Sequence, residues 1–93
     1  MPRTRHSTLI PAAARVVRVL KRAGFAPHPG RIDPMGGKGA VRIKLAVDPG
    51  RTRIRVAGGG VQELFLYGPV EMQKVAAVLV EAFGKSALEA VTE

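Results

Sequence analysis

Hydrophobic and polar positions alternate almost strictly through residues 40–57. Val41, Ile43, Leu45 and Val47 fall on one parity, while Arg42 and Lys44 fall on the other. Asp48-Pro49-Gly50 is a turn sequence, since proline presets one φ and glycine accepts a positive one. Beyond it, Thr52, Ile54 and Val56 share a parity, and Arg51, Arg53 and Arg55 take the opposite one. A period of two with one apolar face predicts half-buried antiparallel strands. Gly58-Gly59-Gly60 predicts a second, looser turn, and residues 61–67 a third strand. That strand is apolar on both parities. With Leu64 and Leu66 inward, Glu63, Phe65 and Tyr67 join the basic face; a slip of one residue reverses the set. The alternation leaves this register open.

Spacings of three and four residues bracket the strands. Ile10, Ala13, Val16, Val17, Leu20 and Ala23 predict an amphipathic helix over residues 8–23, with Ser7 or Thr8 as cap and Pro11 in the first turn. Gly24 is placed to end it at C′, with Phe25 folding back as the accompanying apolar contact. Arg15, Arg18 and Arg22 form a basic ridge on another side of this helix. Gly68-Pro69 opens a second helix, striped by Val75, Val78, Leu79, Ala82 and Phe83 and stopped by Gly84. Ser86 and Glu89 fit a capping box, which predicts a short C-terminal helix or a tail over residues 85–93. Residues 26–39, rich in proline and glycine, read as one long loop, and residues 1–7 as a basic flexible arm. The expected fold is therefore a single α+β domain over residues 8–84. Its order is α-β-β-β-α, a three-stranded antiparallel sheet with two helices packed on one face.

Composition adds limits. The 93 residues suit one small domain, and with no cysteine its core depends on apolar packing alone, in keeping with a reducing cytosol. No apolar run reaches the roughly 18 residues needed to span a bilayer, so no membrane partner is expected. Charge is segregated along the chain: residues 1–60 carry thirteen Lys/Arg against Asp33 and Asp48, whereas residues 61–93 carry two lysines against five glutamates. Such polarity points to a polyanionic partner for the basic part.

Enzyme chemistry finds little support. His6 and His28 lack an obvious carboxylate partner, the acids stand singly, and no metal-ligand spacing or nucleophilic serine motif occurs, so neither catalytic residue, metal nor cofactor is expected. Gly36-Gly37-Lys38-Gly39 lacks the spacing and the following Ser/Thr of a phosphate loop. The basic positions carry more. Arg42, Lys44, Arg51, Arg53 and Arg55 project from adjacent strands, with Arg15, Arg18, Arg22 and Lys38 supplementing them. This pattern predicts a nucleic-acid-binding protein that contacts mainly phosphates, with DNA favoured over RNA because a narrow β-ribbon fits the major groove. Phe65 and Tyr67, if they share the face, offer base stacking. The alternative is a protein-interaction or assembly module, of the kind phages and plasmids encode, forming a homo-oligomer or holding a protein through the acidic C-terminal helix or the third strand.

Two families bear a resemblance to this chain. The predicted element order over residues 8–84, with a long loop before the first strand, is similar to the double-stranded RNA-binding domain. There the second helix opens with a lysine cluster that meets phosphates; the corresponding stretch here, Pro69-Val70-Glu71-Met72-Gln73-Lys74, holds one lysine and one glutamate. Leu20-Lys21-Arg22-Ala23-Gly24-Phe25, followed by a glycine-containing loop and a strand, looks like the start of a HicA-type toxin, a small RNA-cleaving protein. That family's catalytic histidine would fall near Lys38-Gly39-Ala40-Val41, where this chain has none. The resemblance implies a related fold without the cleavage.

Overall fold

The computed structural model describes residues 9–89. Helix α1 (Pro11–Arg22) is followed by strands β1 (His28–Asp33), β2 (Arg42–Asp48), β3 (Arg51–Ala57) and β4 (Val61–Tyr67), then helix α2 (Met72–Phe83) and a 3-10 turn at Lys85–Ala87. The strands form one antiparallel sheet in the order β1-β4-β3-β2. The sheet thus has four strands, which corrects the expected three. The additional strand, β1, lies inside the stretch read as a loop. Its sequence, His-Pro-Gly-Arg-Ile-Asp, shows no apolar alternation, and proline and glycine are both depleted in strands. It forms because β1 is an edge strand, where proline is tolerated, and because a register shift between Pro29 and Ile32 absorbs the irregularity. β4, the last of the three expected strands, therefore lies between β1 and β3 and has neighbours on both sides.

Register follows from burial. Ile43, Leu45, Ile54, Val56, Leu64 and Leu66 face the helices and join Ala13, Val16, Leu20, Val75 and Leu79 in one core. Fully burying an aliphatic side chain of this size contributes about 1.5–3 kcal/mol, so the register with Leu64 and Leu66 inward wins. It leaves Glu63, Phe65 and Tyr67 on the open face. Two polar residues, Thr52 and Gln62, are buried in this layer; Gln62 is buried completely, its Oε1 accepting the Ile10 backbone N–H at 3.0 Å and its Nε2 donating to the Gly30 carbonyl at 3.3 Å. That first bond serves the start of α1. The helix begins at Pro11 with Ile10 in the cap position and no side-chain cap there; Ser7 and Thr8, expected as caps, and the arm over residues 1–7 lie outside the described residues. Its far end matches a Schellman pair, with Gly24 N–H to the Lys21 carbonyl and Phe25 N–H to the Leu20 carbonyl.

β1 and β2 occupy opposite edges, so the chain between them must cross the end of the sheet. It does so by docking on the β3–β4 turn, where the Gly59 N–H donates to the Gly37 carbonyl at 2.7 Å. The approach is so close that a Cβ on Gly37 would lie 2.2 Å from the Gly60 carbonyl oxygen. Only glycine fits. Within the segment expected as a short helix or a tail, the described residues form the 3-10 turn, after which Leu88 bridges to Ile43 in parallel and the Glu89 N–H donates to the Ile43 carbonyl at 2.8 Å; residues 90–93 lie outside the described residues. Among the described residues, no helix is long and apolar enough to cross a membrane.

Candidate nucleic-acid interface

Cross-strand pairing arranges the open face into rows. From one end these are Asp48, Arg51 and Tyr67; then Ala46, Arg53, Phe65 and His28; then Lys44, Arg55 and Glu63; and last Arg42, Ala57, Val61 and Asp33. All five cations predicted for the sheet share this face, as do both candidate stacking residues. Rows on one face repeat at about 6.7 Å along the strands, and strands lie about 4.8 Å apart, so the cations are dense.

They are not equivalent. Arg51 and Arg53 converge on Asp48, with Nε–Oδ2 distances of 3.4 and 3.6 Å, and Arg53 also reaches Glu63 at 3.9 Å. Arg42 pairs with Glu89 at 3.3 Å. Among the described residues, Lys44 and Arg55 have no carboxylate within ion-pair distance. Glu63 was expected on this face, whereas Asp48 and Glu89 were not. Asp48 was legible, since a two-residue Pro-Gly turn sets it directly opposite Arg51. Glu89 was not, because its position depends on how the C-terminal segment returns to β2.

Lys44 and Arg55 lie where two hollows meet. One, of about 370 Å3, is lined by Lys38, Arg42, Lys44, Arg55 and Glu89, with Gly37, Ala57 and Val61 forming its floor. Lys38 reaches it because Gly37 is pinned to the β3–β4 turn. The other, of about 220 Å3, opens over the small Ala46 side chain between Lys44, Arg53, Arg55 and Glu63. The first hollow collects four cations from three chain segments against one carboxylate. That arrangement suits an oxyanion bearing several acceptors, such as a phosphodiester, which arginine holds by bidentate hydrogen bonds.

The helix ridge is placed elsewhere. Arg15, Arg18 and Arg22 line a groove between α1 and α2 with Val19, Ala82 and Phe83, in the helical layer rather than on the open sheet face. Arg15 already lies 5.2 Å from the Phe83 ring centroid as a cation–π contact. The structure therefore divides the predicted cations into two sets that cannot meet one compact ligand together. Among the described residues, no group of three or more His, Asp or Glu side chains is placed to hold a metal ion. Compared with protein-family models, with curated proteins and with solved structures, the chain finds no match in any of the three, so its functional reading rests on its own residues.

Proposed function

We propose that this is a cytosolic nucleic-acid-binding protein whose open sheet face holds phosphates, with the hollow at Lys38, Arg42, Lys44 and Arg55 as the principal contact. The convergence of these four side chains carries the reading. Among the described residues, Lys44 and Arg55 have no ion pair to break. Arg42 exchanges one exposed carboxylate, a partner worth about 0–1 kcal/mol, for phosphate oxygens. The segregated charge of the chain supports the same partner, since a basic face steers a polyanion towards it and repels acidic surfaces.

The test is fluorescence anisotropy with labelled single-stranded and duplex DNA and RNA, begun at about 50 mM salt. Binding is expected with log affinity falling linearly in log salt, by about 0.7 per phosphate contacted on a single strand and 0.9 on a duplex. No binding to any of the four at that salt would sink the proposal.

A further inference from the structure

Of Phe65 and Tyr67 on the open face, Tyr67 is the one exposed enough to meet a ligand. Phe65 is already engaged. The Arg51 guanidinium lies 4.2 Å from its centroid, and its ring rests so closely on Gly30 that a Cβ there would come within 2.6 Å of Cε2. Tyr67 is 57% exposed at the end of β4. His28 meets it with centroids 5.1 Å apart and 63° between the planes, a favourable edge arrangement, and Phe65 lies 6.2 Å away at 32°, so two neighbouring rings hold the tyrosine in place while more than half of it stays exposed. Beside the His28 and Tyr67 rings opens a cleft of about 390 Å3, lined also by Phe25, Leu66, Pro69 and Val70, and by Lys74 and Glu71, which pair with each other at 3.3 Å. Tyrosine, histidine and apolar walls suit a flat aromatic group, while the uncompensated cations that would hold its phosphates lie at the Lys44–Arg55 hollow.

We propose that Tyr67, buttressed by His28, is a base-stacking station and that the ligand is a single strand of nucleic acid. The inference rests on the phosphate-binding reading above and narrows it. A duplex keeps its bases stacked on one another and offers a protein side chain no free base face, whereas an unpaired base stacks on tyrosine regardless of sequence. The width of the sheet points the same way. Four strands span roughly 14 Å between the outermost axes, more than the roughly 12 Å of the major groove, so this face lies along a strand instead of entering a duplex. From the Lys44–Arg55 pair to Tyr67 is two rows along and one to two strands across, roughly 15 Å. A short oligonucleotide covers that path with its phosphates at the hollow and a base at Tyr67. DNA and RNA share this chemistry.

The chain has one tyrosine and no tryptophan, so its tyrosine fluorescence reports on Tyr67 alone. Oligothymidylate and oligouridylate of about eight nucleotides, and inorganic polyphosphate of similar charge, are titrated separately. Both oligonucleotides should quench the emission, and the tighter of the two identifies DNA or RNA as the better ligand; polyphosphate should bind without quenching. Tyr67→Ala should weaken oligonucleotide binding about tenfold or more and leave polyphosphate unaffected, and Tyr67→Phe should retain the wild-type affinity. Unchanged oligonucleotide affinity in Tyr67→Ala, or an equal loss for polyphosphate, overturns the stacking station while leaving phosphate binding intact. Failure of all three ligands to bind at about 50 mM salt overturns the phosphate reading, and the station with it.

Discussion

Arg51 and Arg55 are four residues apart on one strand, project from the same face and belong to the same alternating run, yet they occupy different surroundings. Arg51 ends its strand beside the turn that supplies Asp48, and its guanidinium lies over Phe65. Arg55 sits between Lys44 and Glu63 in its row, opens onto two hollows and has no ion pair among the described residues. One end of the face spends its charge internally, and the other presents it. The lesson is that a count of cations on a strand measures density, while availability is decided by what the neighbouring strands and turns bring alongside.

The sharpest way to break this contrast is to reverse the charge of the available pair. Lys44→Glu with Arg55→Glu should weaken single-strand binding roughly 50-fold at about 50 mM salt, since each lost phosphate contact removes about 0.7 of a power in salt concentration. The folded state should survive, because both side chains are exposed and neither holds an ion pair among the described residues. Circular dichroism alongside the binding titration checks both points. A second change acts on the backbone beneath the hollow. Gly37→Ala puts a Cβ against the Gly60 carbonyl at a positive φ of 67°, which should cost about 1–3 kcal/mol and lower Tm by several degrees. With the crossing loop displaced, Lys38 leaves the hollow, so affinity should also fall severalfold.

These two sites show how unevenly the structure could be read from the sequence. The alternation of residues 43–56 and most of the helical stripes of α1 and α2 were legible because burial selects them, although Val47, expected on the buried parity, is 53% exposed, and Ala23 and Ala82 of the stripes are exposed as well. Strand β1 was hidden, since a proline- and glycine-containing edge strand depends on pairing with β4 rather than on its own pattern. With β1 hidden, so were His28 beside Tyr67 and Gly30 beneath Phe65. The hollow was half legible: Arg42, Lys44 and Arg55 follow from parity, but Lys38 arrives through a glycine–glycine contact across the end of the sheet. No local pattern encodes that contact.

Smaller effects sharpen the comparison further. Asp48→Asn releases Arg51 and Arg53 from their shared carboxylate, so affinity for a single strand should rise about threefold while stability falls by about 1 kcal/mol, as expected for half-exposed surface ion pairs. Thermal denaturation and the binding titration on one sample separate the two. At the bottom of the scale, Arg18→Glu with Arg22→Glu alters the helix groove alone and should change affinity by less than about threefold, an effect of net charge at long range that disappears with added salt. A large loss in this variant would place the ligand on the helical layer.

The central claim is that the ligand lies on the open face of the sheet, from the hollow at Lys44 and Arg55 towards Tyr67. Amide chemical shifts of 15N-labelled protein, followed by NMR while a single-stranded oligonucleotide is added, test it most directly. The account predicts that the largest changes map to Lys38, Arg42, Lys44, Arg55, His28 and Tyr67, with Arg15, Arg18 and Arg22 unmoved. Changes concentrated on those three helical arginines, or no changes anywhere at low salt, would contradict it.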